Sequence, residues 1–264
     1  MTGRIAAALL ALAALASAED CKDCTDGKVC LTHEATDDIA VRGASVKLKT
    51  KDMIGKREAI KDLADAQLKH MNVRSRKITG ELLKALADAD VDVKLLAADK
   101  LAELGEPNLA VQGLKQQVAN YKKLVGNSKP KKETEIRTWE TNLKMLGLMY
   151  ASLAATKSAP ACAVFEEDIL ESSPWVCAAA ANATPPLKGQ KTVIRALYEG
   201  MRRWLGPSTK APVPEGFTDA FFAMTRGLDA VVEDPPKGDR SGKNQNQQAA
   251  IWDGWWKTNE AKYK

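Results

Sequence analysis

The stretch Gly80–Gln117, GELLKALADADVDVKLLAADKLAELGEPNLAVQGLKQQ, decides the fold class of this chain. Apolar residues recur in it every three or four positions, as on one face of an α-helix, and an aspartate-rich turn at 88–90 separates two such runs. Gly105 and Pro107 predict the end of one helix and the start of another, since glycine is favoured at helix C-caps and proline breaks a continuing helix. The stretch therefore predicts two helices joined by a tight turn and followed by a third.

The same stretch resembles a HEAT repeat of the bacterial, PBS-lyase-like kind. The matching features are Leu82, Leu83 and Leu86 on the first helix, the Asp88/Asp90 turn, Val93 at the start of the second helix, the Ala97–Ala98 pair inside it, and Leu101 and Leu104 before Gly105-Glu106-Pro107. The small alanine pair permits close contact between helices. The resemblance implies an exported bacterial protein whose antiparallel helix pairs stack into an α-solenoid.

Amphipathic helical patterns extend over most of the remaining chain. We therefore predict an all-α fold, a HEAT-like α-solenoid of antiparallel helix pairs with a small Cys/His head. The predicted segments are a signal peptide at 1–18, the head and a linker at 19–50, HEAT-like repeats at 53–125, a second group of helical hairpins at 137–205, and C-terminal helices with a polar loop and a Trp-rich cap at 206–264. Irregular apolar spacing in Glu34–Lys51 predicts a loop or a short hairpin, and the polar residues 234–248 predict a disordered or mobile loop.

The composition excludes several classes of protein. Of the 264 residues, 45% are hydrophobic and 28% are charged, which is near the globular average and excludes wholesale disorder. A net charge of +5 is too small and too dispersed to indicate a nucleic-acid partner. The sequence contains no glycine-rich phosphate loop and no acidic pair accompanied by a base or nucleophile. These observations predict that the protein is not an enzyme.

The first eighteen residues, MTGRIAAALLALAALASA, have the pattern of a Sec-type signal peptide. Arg4 supplies a positive charge, an apolar run follows, and Ala16-Ser17-Ala18 matches a small-x-small cleavage site. The apolar run is too short to span a membrane, and no later stretch is longer. We therefore expect a periplasmic or secreted protein without a membrane span after removal of the signal.

The mature chain opens with a C-x2-C-x5-C-x2-H pattern. Its members are Cys21, Cys24, Cys30 and His33. Three thiolates and one imidazole form a four-ligand set of the kind that binds zinc tetrahedrally, so the pattern predicts a structural zinc site. The alternative is disulfide pairing, because an exported protein meets an oxidising compartment. A catalytic redox role is disfavoured, since the first two cysteines have no βαβ context.

The remaining two cysteines, Cys162 and Cys177, are then available as one disulfide. Such a bridge would close a loop of about fifteen residues and would stabilise the fold by roughly 3 kcal/mol in the chain-entropy model.

The chain ends in a tryptophan-rich helix that contains Trp252, Trp255 and Trp256. It resembles the Trp-rich tail that closes some exported bacterial HEAT-repeat proteins. One interpretation is a cap over the open edge of the last repeat. The other is a partner-binding surface, because tryptophan is enriched among interface anchors.

Three functions follow from these patterns. The first is an exported helical-repeat scaffold that binds a protein partner through an extended surface. The second is a metal-handling or thiol-active envelope protein whose helical body serves as a scaffold. An enzyme related to the HEAT-like lyase subunits is disfavoured, because the resemblance is to repeat architecture, and architecture does not carry function.

Overall fold

The computed structural model describes residues 29–70, 73–205, 214–238, 240 and 242–263. Within these ranges the chain forms α-helices and short 3-10 helices but no β-strand, so the predicted all-α fold class is confirmed. The described residues divide into two compact units, one ending at Glu106 and the other beginning at Pro107. No helix in the described ranges is long and apolar enough to cross a lipid bilayer. The predicted signal peptide lies outside them.

The described part of the first unit contains four α-helices. These are α1 (Leu31–Leu48), α2 (Met53–Leu68), α3 (Arg76–Leu86) and α4 (Val91–Leu104). Short turns join α1 to α2 and α3 to α4, so each pair forms an antiparallel hairpin. In addition α1 packs on α3 and α2 packs on α4, so that the two hairpins stack. Their shared core consists of fully buried aliphatic side chains, which include Ile60, Leu63, Ile78, Leu82, Val93 and Leu101.

Helix boundaries in this unit follow local capping chemistry. The Asp52 carboxylate accepts a hydrogen bond from Ile54 N at 3.0 Å, and α2 begins at the next residue after Asp52. The Asp90 carboxylate accepts from Val93 N at 2.9 Å and starts α4 in the same way. Gly105 is the C-cap of α4, as the sequence predicts. Each cap satisfies a backbone group that the helix itself leaves unpaired.

The prediction of a loop or short hairpin over Glu34–Lys51 is wrong, because residues 34–48 lie in α1. The reason is the distribution of its apolar residues. Ile39 and Val46 are 68% and 69% exposed, whereas the buried face carries Ala44 and the carboxylate of Asp37. A helix that buries a small side chain and a charged one lacks the apolar stripe by which amphipathic helices are recognised.

The boundary between the two units also differs from the predicted segments. Pro107 begins the next helix, α5, and that helix belongs to the second unit. The predicted repeat group 53–125 therefore divides at Gly105-Glu106-Pro107.

Among its described residues, the second unit contains seven α-helices. These are α5 (Pro107–Val125), α6 (Glu133–Ala155), α7 (Ala159–Ile169), α8 (Pro174–Asn182), α9 (Lys191–Arg203), α10 (Phe217–Val231) and α11 (Gln245–Asn259). The 3-10 helices Pro185–Leu187 and Glu260–Lys262 follow α8 and α11. Helices α5 and α6, α7 and α8, and α9 and α10 pack as pairs. Within this unit the pairs stack in order, with α5, α7 and α9 in one layer and α6, α8 and α10 in the other.

A buried ionic cluster joins the first two pairs of this unit. Lys122 of α5 forms ion pairs with Asp168 and, at 3.0 Å, with Glu171, while Tyr150 of α6 donates its hydroxyl to Asp168 at 2.7 Å. Burial raises the pKa of Tyr150, and the adjacent Asp168 carboxylate raises it further. Burial alone would lower the pKa of Lys122, but the hydrogen bonds to Asp168 and Glu171 and the charges of these two carboxylates together raise that pKa.

The polar segment 234–248 ends in a helix. Its last four residues belong to the first turn of α11, where the Asn244 side chain accepts from Gln247 N and the Gln247 side chain accepts from Asn244 N, both at 3.0 Å. This reciprocal capping box explains why a polar sequence begins a helix.

Candidate functional site

The second unit has a groove of about 690 Å³ along α6, α8 and α10. Its floor is α8 (sequence PWVCAAAAN), of which Ala178 and Ala179 present only methyl groups to the groove, between Trp175 at one end and Asn182 at the other. The flanking helices α6 and α10 contact α8 on either side and form the walls. The lining side chains on α6 and α8 are mostly apolar or small: Leu143, Gly147, Leu148, Ala151, Trp175, Ala178, Ala179 and Ala183. A short alanine-rich helix between two larger ones therefore produces the depression.

Tertiary contacts show that the three helices run in the same direction. Near their N-terminal ends, the Trp175 ring lies edge-to-face on Trp139 of α6, with ring centroids 5.1 Å apart. At the same end Gly216, the N-cap of α10, faces Trp175. Near their C-terminal ends, Arg226 of α10 donates to Asn182 Oδ1 of α8 at 3.2 Å. The groove therefore has a distinct N-terminal and C-terminal end.

Gly216 is required where α10 meets the groove. Its φ of +86° lies in the left-handed region, which favours glycine. A Cβ at this position would lie 2.9 Å from Pro174 Cγ and 3.0 Å from Trp175 Cζ2. The absence of a side chain therefore lets the start of α10 lie against the rim tryptophan.

Four charged side chains line the groove. Glu140 and Asp219 lie toward the N-terminal end, Lys144 lies one turn beyond Glu140, and Arg226 lies toward the C-terminal end. None of the four forms an ion pair within the part of the chain that the structure describes, although Arg226 has the amide of Asn182 as a partner. The groove thus combines an apolar floor with charges that remain available to a ligand.

The predicted zinc ligands are only partly visible. Cys21 and Cys24 lie outside the described residues. Cys30 is the residue before α1 and His33 lies in its first turn, so the two are three residues apart on one helical face. In the described ranges, no group of three histidine, cysteine or acidic side chains is arranged to hold a metal ion.

A second histidine lies against the first. The rings of His33 and His70 are edge-to-face with centroids 4.6 Å apart, and His70 Nε2 lies 2.6 Å from Asp37 Oδ1. Burial lowers the pKa of His33, and the neighbouring His70 lowers it further. The sequence pattern did not single out His70 as a ligand, because no local spacing connects it to the N-terminal cysteines.

The predicted disulfide between Cys162 and Cys177 is not present, since both residues are buried free thiols. Their positions in the α7–α8 hairpin explain this. Cys162 lies seven residues before the end of α7, whereas Cys177 lies three residues after the start of α8. This stagger of about 6 Å along the helix axes adds to the lateral separation of the two helices and keeps the Cα atoms from the close approach that a disulfide needs. Burial raises the pKa of Cys177 to about 12.

The three C-terminal tryptophans are part of the fold. Trp252 and Trp256 are buried, and the Trp256 ring stacks on Tyr198 of α9 with centroids 4.2 Å apart. Trp255 is half-buried and donates its indole N–H to Asp234 O at 2.9 Å. This arrangement favours the capping interpretation over a partner-binding surface at these residues.

Comparison with known proteins adds little to this geometry. No family model matches the chain, and no curated protein matches it. Among solved structures, the chain is similar to the crystal structure of an engineered protein, at 18% identity over 79% of this chain and 88% of that chain, with a TM-score of 0.29. A TM-score this low carries no argument about fold or function.

Proposed function

We propose that the protein is an exported helical-repeat scaffold that binds a partner protein, and that the groove over α8 receives an amphipathic helix of that partner. The observation that supports this proposal is an apolar groove between α6 and α10 whose four charged residues have no ionic partner in the described ranges. Binding of this kind requires no catalytic step. Export rests on the leader sequence, and the HEAT-like relationship rests on residues 80–117.

The dimensions of the groove suit one helix. Its lining along α6 runs from Glu140 to Ala151, which corresponds to about 16 Å or three helical turns. Neighbouring helices pack 8–10 Å apart, so α6 and α10 are separated across α8 by roughly 16–20 Å. The space above the alanine floor is therefore about as wide as one α-helix with its side chains. Helix-in-groove recognition uses apolar anchors at i, i+3, i+4 and i+7, which such a floor would accept.

The charges favour one orientation of the partner helix. Glu140 and Asp219 favour a basic residue at the N-terminal end of the groove, and Arg226 favours an acidic residue at the other end. Lys144 would pair with an acidic side chain of the partner helix, one turn away from the partner's basic residue. The expected ligand is thus a helix of about three turns with one apolar face and opposite charges at its two ends.

The decisive variant fills the groove without disturbing the core. A Cβ at Gly147 would have no neighbouring atom within 4 Å, so Gly147→Trp should be accepted by the fold. Replacing a helical glycine should even gain a few tenths of a kcal/mol. Gly254 of α11 is exposed and equally unobstructed, so Gly254→Trp is the matched control outside the groove.

The experiment is affinity capture from the cell envelope of the source organism with tagged wild type, Gly147→Trp and Gly254→Trp, followed by calorimetry with a synthetic peptide of the captured protein's helix. We expect wild type and Gly254→Trp to retain the partner and Gly147→Trp to lose it. Arg226→Glu should weaken peptide binding and should be rescued by reversing the peptide's acidic residue. Equal capture of the partner by all three proteins would overturn the proposal. So would loss of the partner on addition of a chelator combined with its retention by Gly147→Trp.

The alternative function, a metal-handling envelope protein with a helical scaffold, has one observation in its favour. His33 of the predicted zinc site contacts the buried His70.

A further inference from the structure

Helix α1 exposes an apolar stripe on the side opposite its buried Ala44. Ile39 and Val46 are 68% and 69% exposed, and Ala35 and Gly43 are exposed as well. At 3.6 residues per turn these four residues, here called the α1 stripe, share one strip of the helix surface. A Cβ at Gly43 would have no neighbouring atom within 4 Å, so the space in front of the stripe is open. An exposed apolar stripe with this spacing indicates a surface that another helix can cover.

The charges of α1 are separated along its length. Near its N-terminal end, Glu34 and Asp38 both pair with Lys77 of α3, at 2.9 and 2.8 Å, so this end keeps one excess negative charge. Arg42 in the middle and Lys49 at the C-terminal end are exposed and form no ion pair in the described part of the chain. The helix therefore combines an apolar stripe with an acidic end and a basic end.

This charge pattern matches the groove over α8 when α1 lies antiparallel to α6. The groove lining from Glu140 to Ala151 is about 16 Å long. Lys49 and Asp38 are the same distance apart along α1. With Lys49 level with Glu140 at the N-terminal end of the groove, Asp38 lies at the C-terminal end. Arg226 lies at that end, so each charged end of α1 meets the opposite charge.

The apolar residues fall into register in the same alignment. Val46 lies level with Leu143 of the groove, and Ile39 lies two turns further along its apolar lining. Gly43 comes within one residue of the level of Gly147, in the middle of the groove. Neither glycine carries a side chain that would hold the helices apart, and the space beside each backbone is open. The α1 stripe therefore supplies the anchors that the alanine floor can accept.

We propose that the groove over α8 receives helix α1 of a second copy of this protein. This inference rests on the proposed function, because it names the partner that the groove binds. Each copy carries one stripe and one groove, so the contact joins two different surfaces. Such a contact either closes into a ring or continues into a larger assembly.

The test is sedimentation of the purified chain from Glu19 to Lys264 over a range of concentrations, under reducing conditions. Ile39→Asp places a charge in the α1 stripe, and Gly147→Trp fills the groove. Leu124→Asp is the matched control, because Leu124 is 58% exposed and lies on α5, which does not line the groove. Circular dichroism checks that all three variants keep the helix content of wild type.

We expect wild type and Leu124→Asp to associate as the concentration rises. Ile39→Asp should weaken association by about 100-fold or more, because it removes a buried isoleucine from the contact and leaves a carboxylate in its place. Gly147→Trp should stay monomeric for lack of a groove. An equimolar mixture of Ile39→Asp and Gly147→Trp should nevertheless form a dimer, since the intact stripe of one variant fits the intact groove of the other.

A charge exchange tests the antiparallel alignment. Lys49→Glu and Glu140→Lys should each weaken association about two- to fivefold, as expected for an exposed ion pair. The double variant should recover the affinity of wild type. A double variant that associates more weakly than either single variant would contradict this alignment.

Two results would overturn the inference. One is a wild type that stays monomeric at every concentration, and the other is a mixture of Ile39→Asp and Gly147→Trp that forms no dimer. Failure of the proposed function is distinguishable from both. A monomeric wild type whose envelope partner is lost only by Gly147→Trp would leave a foreign partner in the groove, whereas equal capture by wild type and Gly147→Trp would refute the groove as a binding site altogether.

Discussion

Replacement of Trp252 by alanine should detach α11 from the end of the second unit. The Trp252 side chain is 0% exposed, and α11 contacts both α9 and α10. Its ring lies edge-to-face on Trp255, with centroids 5.4 Å apart, and the Arg240 guanidinium lies 5.2 Å from its centroid. No other residue of α11 is as large and as completely buried.

The expected cost is about 3–5 kcal/mol, as for other buried Trp→Ala substitutions. If the second unit melts as one transition, this corresponds to a fall in melting temperature of roughly 6–20 °C. Because stability in stacked helix pairs is largely a sum of neighbour interfaces, we expect the loss to be concentrated at the C-terminal end. Hydrogen exchange should show this directly, since the amides of α11 should lose protection first.

Two companion variants test whether the loss of stability in Trp252→Ala comes from the buried ring. Trp252→Phe keeps most of the ring volume, and the indole N–H that it removes has no hydrogen-bond partner in the described ranges, so it should cost less than about 1.5 kcal/mol. Trp255→Ala removes a half-exposed ring and the hydrogen bond to Asp234, for which we expect a smaller loss than for Trp252→Ala. A Trp252→Ala protein with unchanged melting temperature and fully protected α11 amides would refute the capping interpretation.

Two further predictions concern buried ion pairs. Asp168→Ala should destabilise the second unit by about 3 kcal/mol in urea unfolding, because Lys122 would keep only its half-buried partner Glu171 and Tyr150 would lose its acceptor. A loss below about 1 kcal/mol would contradict this. Lys56→Met should cost about 1.5–3 kcal/mol at pH 7, since Lys56 lies 2.6 Å from Asp88 and both side chains are largely buried. Burial would raise the pKa of Asp88, but Lys56, together with the hydrogen bond from Asp90 N, lowers it below the value in the unfolded chain. The contribution of the ion pair to the free energy of unfolding is therefore complete above about pH 3.9, and it is lost as the pH falls through the lower pKa of the folded state. The difference in the free energy of unfolding between wild type and Lys56→Met should therefore become smaller in acid. A difference that stays constant with pH would contradict this prediction.

The helical class and several boundaries could be predicted because they depend on local chemistry. The cap residues Asp90 and Gly105 act within one turn of the helix ends that they define. Helix α1 could not be predicted, because its buried face holds Asp37 and Ala44 while Ile39 faces solvent. Burial of that carboxylate depends on His70, which lies 33 residues away in the sequence.

The candidate groove could not be predicted for a different reason. Its residues come from three helices separated in the sequence, and most are glycine, alanine or leucine, which carry no chemical signature. Such residues become a site only when stacking brings Gly147, Ala178 and Arg226 to one surface. The predicted disulfide failed on geometry as well, since the sequence separation of Cys162 and Cys177 contains no information about the stagger between α7 and α8.

The alanine floor of the groove has a consequence for how this protein can change. Ala178 and Ala179 point into open space and only partly contribute to the core, whereas Ala180 and Ala181 on the same helix are fully buried. Mutations at the first two positions can therefore reshape the groove while the packing of α8 is preserved. Under the proposed function, recognition and folding would be carried by different residues of one nine-residue helix, so that new partners would require changes at only a few small side chains.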